Sequence, residues 1–71
     1  MLKVNSQKAK QLIDKLDGQT VDGVTFKLEK IINAFFFELS FEGGTAEKAK
    51  DIVRRTSESI SKTAFTKIDI L

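Results

Sequence analysis

The sequence predicts a small α+β domain, an antiparallel sheet with two helices on one face. Two stretches space their apolar residues as a helix does, others alternate apolar and polar residues, and four glycines punctuate the boundaries between them. At 71 residues there is room for one modest core. No linker, repeat or low-complexity stretch divides the chain, so residues 1–71 are read as a single domain.

The first helix is expected from about Gln7 to Asp17. Ser6 is its candidate N-cap, and Ala9, Leu12, Ile13 and Leu16 fall at i, i+3, i+4 and i+7 on one stripe. Gly18 stands where a left-handed C-terminal cap is wanted, with Lys15 in the last turn. After the turn signals Gly18 and Asp22-Gly23 the period changes to two, with Val24, Phe26 and Leu28 alternating with Thr25, Lys27 and Glu29. Ile31-Ile32-Asn33-Ala34 either ends that strand or approaches a turn, with Asn33 as the turn residue. Phe35 to Glu42 is the clearest strand. Phe35, Phe37, Leu39 and Phe41 share the face expected to meet the helices, while Phe36, Glu38, Ser40 and Glu42 share the open one.

Gly43-Gly44 ends this strand, and Thr45 is the next N-cap candidate, with Glu47 in the first turn. Ala49, Ile52, Val53, Thr56, Ile60 and Ala64 then form a stripe that predicts a second helix running to about Ser61 to Ala64. The tail Phe65 to Leu71 alternates again and reads as a final strand. A very short strand at Leu2 to Val4 would complete β-α-β-β-α-β, the ferredoxin-like split βαβ pattern. That strand belongs inside the sheet. With three or four residues it is expected to be short or missing, leaving a narrowed sheet or one completed by a neighbouring chain; a three-stranded sheet is the alternative.

The chain has no Cys, His, Trp, Tyr or Pro. Disulfides, thiolate or imidazole metal sites and Cys- or His-based nucleophile pairs are thereby excluded. Gly43-Gly44-Thr45 lacks the Lys-Ser/Thr pair of a phosphate-binding loop and reads as a turn plus cap. Glu38 and Glu42 share a strand face four residues apart, both are expected to be exposed, and no catalytic constellation is formed with them. The expectation is a non-enzyme with no cofactor and no metal. No segment approaches the roughly 18 apolar residues of a membrane span, and Met1 to Asn5 has no apolar run to serve as a signal peptide, so a cytoplasmic protein is expected.

A domain this short buries only about 60% of its unfolded-chain surface, and with disulfides and metals excluded, self-association is the expected supplement. The expected surface is the open sheet face around Phe36, Glu38, Ser40 and Lys27, or an exposed strand edge; other protein subunits are further candidate partners. The alternative is a nucleic-acid-binding module using Lys48, Lys50, Arg54, Arg55 and Lys62 on the second helix. Net charge is only +2. Glu47, Asp51 and Glu58 are interspersed among those five cations, and Asp51 and Arg55 have the spacing of an i,i+4 pair, as on an ordinary solvated helix face.

From Val24 onward the residues also resemble a known family. Val24-Thr25-Phe26-Lys27-Leu28-Glu29-Lys30, Phe36 to Gly43, Glu47 to Val53 and Lys67-Ile68-Asp69-Ile70 are similar to the small accessory subunit of phosphoribosylformylglycinamidine synthase, from purine biosynthesis. The similarity covers roughly two-thirds of the chain. It implies a non-catalytic, ferredoxin-like subunit that associates with itself through its sheet and bridges the glutaminase and synthetase subunits of an amidotransferase complex. It carries over no functional residue.

Overall fold

The computed structural model describes residues 1–71. In chain order it contains β1 (Leu2–Ser6), α1 (Ala9–Leu16), β2 (Thr20–Val21), β3 (Val24–Ile31), β4 (Phe36–Glu42), α2 (Ala46–Ile60) and β5 (Thr66–Ile70). The strands form one sheet in the order β2-β3-β4-β1-β5, and every neighbouring pair is antiparallel. The fold class is therefore α+β, a five-stranded antiparallel sheet with two helices. Neither helix is long and apolar enough to cross a membrane.

The first strand corrects the expectation that it is short or missing. β1 runs five residues and pairs on both sides, Leu2 to Asn5 with Leu39 to Phe36 of β4 and Leu2 to Ser6 with Ile70 to Thr66 of β5. Leu2, Val4 and Ser6 are buried and alternate with half-buried Lys3 and Asn5. No neighbouring chain is needed to fill the centre of the sheet. Ser6 was the misleading residue: it ends β1, its amide donating to the Phe35 carbonyl, while its Oγ accepts the Lys8 amide at 3.1 Å. α1 consequently starts at Ala9, two residues later than the spacing suggested, with Lys8 at the N-cap and no side-chain cap.

The strand order departs from the four-stranded pattern by the edge strand β2. Thr20 and Val21 pair with Thr25 and Val24 across a two-residue turn in which Asp22 and Gly23 both take positive φ, 50° and 81°. Asp-Gly between two apolar residues is a strong signal for a type I′ hairpin, whose twist suits antiparallel strands. The other turns follow the sequence: Asn33 Oδ1 accepts the amides of Phe35 and Phe36, and Thr45 Oγ1 accepts that of Lys48 at the start of α2.

Both helices bury their apolar stripes against one side of the sheet. Leu12 and Leu16 of α1 and Ala49, Ile52 and Val53 of α2 pack on Leu2, Val4, Val24, Phe26, Phe37, Leu39 and Ile68. Phe35 corrects the face pattern. It lies one residue before β4, in the Asn33 turn, and is 53% exposed, so strand alternation does not reach it. α2 also ends at Ile60, which leaves Ala64 outside the helix. Its inner stripe includes Ser57, whose Oγ hydrogen-bonds Thr66 Oγ1; Thr66 Oγ1 in turn bonds Ser6 Oγ, so three hydroxyls tie α2, β5 and β1 together and no buried side-chain polar atom lacks a partner.

A bulge in β3 decides what faces out. Leu28 pairs with Leu39, but Lys30, not Glu29, is opposite Glu38, and Ile31 is opposite Phe37. The extra residue reverses the alternation. Without it Lys30 would point under the helices; with it Lys30 joins the open face and Ile31 moves to the helix side.

Candidate interaction surfaces

The open sheet face is built from the polar half of each strand. Across one row, Lys30 of β3 is opposite Glu38 of β4, which is opposite Lys3 of β1, which is opposite Asp69 of β5. The sign of charge alternates along the row, the arrangement that favours cross-strand neighbours and gives no one-signed field. The four residues expected at an interface gather here: Phe36, Glu38 and Ser40 are half-buried on β4, and Lys27 is opposite Ser40 on β3. Ser40 Oγ donates to Glu29 Oε2 at 2.9 Å. Phe36 is not an uncovered platform, because the Lys3 ammonium stands 5.6 Å from its ring centroid.

The five cations proposed for nucleic acid do not form one patch. Arg54 bridges Asp51 and Glu58 at 2.6 and 2.7 Å, and Arg55 reaches Asp51 at 2.9 Å and Asp22 of the hairpin turn at 3.3 Å. Both guanidiniums are thus occupied by carboxylates of this chain. Lys62 lies beyond the end of α2, so only Lys48 and Lys50 remain as helix lysines of that set without a carboxylate partner. The hydrogen bond from Arg54 holds the Asp51 carboxyl below its usual range; desolvation opposes it, and the positive charges of Arg55 and Arg54 act in the same direction as the hydrogen bond. A carboxyl shifted down stabilises the fold above its unfolded-state pKa, and that contribution disappears as pH falls through the lowered folded-state value. Arg54→Met is expected to move the Asp51 titration upward, as followed by carboxyl-carbon NMR; an unchanged curve would show that the pairing does not persist in solution.

The two sheet edges differ. Beyond β2, the outer side of β3 is closed: the Gly18 amide donates to the Phe26 carbonyl, the Phe26 amide to the Gln19 carbonyl, and the Leu28 amide to Asp17 Oδ1. Asp17 and Gly18, expected only to end α1, also seal this edge. β5 pairs with β1 alone, and its other side is open.

Large apolar side chains are exposed at both ends of the strands. Ile31, Ile32, Phe35 and Phe65 cluster where β1 and β3 end, and Met1, Ile70 and Leu71 lie at the opposite end. Beside the first group a shallow groove of about 340 Å³ lies between α1 and the β3–β4 turn, lined by Ala9, Ile13, Ile31 and Ala34 with Lys10, Asp14 and Asn33 at its rim. The bulge turns Ile31, one of the residues that line this groove, to the helix side, and helical and strand periodicity alone give no sign of that. Set against family models, curated proteins and solved structures, the chain matches none of them.

Proposed function

We propose that this chain is a small, non-catalytic, cytoplasmic assembly subunit that associates with itself, built on a ferredoxin-like frame to which β2 is an added edge. With β2 set aside, the strand order β3-β4-β1-β5 and the two strand-helix-strand units are those of that frame. The observation that carries the proposal is the exposure of seven large apolar side chains, Met1, Ile31, Ile32, Phe35, Phe65, Ile70 and Leu71, on a 71-residue chain. Exposed apolar residues gathered at particular places, unlike scattered ones, mark surfaces that another protein covers. The sequence resemblance to the accessory subunit extends the proposal to a second protein partner, the catalytic subunits of a purine-biosynthesis amidotransferase complex.

Sedimentation equilibrium over micromolar to millimolar concentration tests the self-association. A mass that rises above that of one chain is expected. A single-chain mass throughout would reject it. The nucleic-acid alternative predicts binding that strengthens steeply as salt is lowered, whereas arginines already held by Asp22, Asp51 and Glu58 have little to offer phosphates.

A further inference from the structure

We infer that the partner of the open β5 edge is a second copy of this chain, joined antiparallel about a two-fold axis through Ile68; this rests on the self-association proposed above. The Gln7 amide donates to the Phe65 carbonyl and the Leu71 amide to the Met1 carbonyl. Bonded pairs alternate along an antiparallel ladder, so between these two ends Asn5·Lys67 and Lys3·Asp69 are the bonded pairs of β1 and β5. Thr66, Ile68 and Ile70 therefore turn their main-chain N–H and C=O groups outward, away from β1. Those three residues are the groups a further strand must engage.

One register uses all of them. With Ile68 opposite Ile68 of the copy, Thr66 is opposite Ile70, and about six main-chain hydrogen bonds form. Lys67 is then directly opposite Asp69 of the copy, twice by symmetry, at the non-bonded positions where side chains are closest. Phe65 and Leu71, 53% and 65% exposed in the single chain, become cross-strand neighbours. The alternating row Lys30, Glu38, Lys3, Asp69 continues across the axis with Lys67 of the copy, so the order of signs is unbroken. A pairing that satisfies its own charges under a two-fold is what an isologous interface requires. The two five-stranded sheets merge into one of ten strands, and the outer margins are then the two-residue β2 strands, which offer little edge for further pairing.

Charge reversal tests the register on exposed residues. Lys67→Asp sets carboxylate against carboxylate at both symmetry-related pairs, and Asp69→Lys sets ammonium against ammonium there. Each variant alone is expected to dimerise about tenfold more weakly or worse in sedimentation equilibrium, and an equimolar mixture of the two to recover a dimer as tight as the wild type. Recovery in the mixture separates pairing from any loss of monomer stability, since Asp69 also neighbours Lys3 within the chain. Ile70→Pro, which removes an outward N–H and leaves the β1 ladder intact, is expected to give a folded monomer by circular dichroism. In the wild type, amide exchange at Thr66, Ile68 and Ile70 should slow as concentration rises. If the wild type associates while both charge variants and Ile70→Pro associate equally well, the β5 interface is wrong and self-association stands. If the wild type never exceeds one chain, or its edge is protected only by an added extended peptide from another protein, both are wrong.

Discussion

Phe37→Ala is expected to cost about 3–5 kcal/mol of stability, because the ring is fully buried in the middle of β4 and its removal leaves a cavity that the surrounding sheet and helices cannot close. A domain of this size is stable by about 4–10 kcal/mol on the usual per-residue scale. The variant should therefore lose about a third or more of its stability, and it unfolds only if the wild type lies near the low end of that range. Phe35→Ala, two residues earlier and of the same nominal strand parity, is expected to cost about 1 kcal/mol or less, since its side chain is more than half exposed. Urea denaturation of the two variants in parallel is the check. Equal losses would mean that Phe35 is packed in solution and that β4 begins earlier than the structure has it.

Gly43→Ala is expected to be the next most damaging change, at about 2–3 kcal/mol. Gly43 has φ of +96°, a backbone conformation that a β-carbon strains. A methyl group there would also overlap the carbonyl oxygen of Gly23, where the β2–β3 turn rests against the end of β4. Neither rigid backbone segment can move aside cheaply. Gly18→Ala provides the contrast, because Gly18 also has positive φ, +74°, but nothing lies within 4 Å of the site of an added β-carbon. Only the conformational term then applies, about 1–2 kcal/mol. Thermal melts that rank the two variants in the opposite order would show that the contact between the turns does not form.

How much of the fold could be read without the structure differs element by element. The helical stripes of Ala9 to Leu16 and Ala49 to Ile60 and the alternation of Phe36 to Glu42 repeat often enough to declare themselves. β1 was harder to see, because five residues ending in Ser6 read equally as a strand or as the approach to a helix cap. β2 had a usable signal in Asp22-Gly23 between two valines, but two residues are too few to show a period. The Glu29 bulge had none. It is decided by pairing with β4, and through it the parity of Lys30 and Ile31, the place of Ile31 in the groove beside α1 and the alternating row on the open face are all decided too.

By itself, then, the sequence determined the fold class, the positions of most elements and turns, and the side of the sheet on which Phe36, Glu38, Ser40 and Lys27 lie, because each of these depends on residues near one another in the chain. Tertiary structure alone decided which strands are neighbours, that Asp17 and Gly18 seal one edge while β5 is left open, and that Arg55 is drawn to Asp22. Those outcomes depend on main-chain donors, acceptors and charges brought together from distant parts of the chain, and no local periodicity records them.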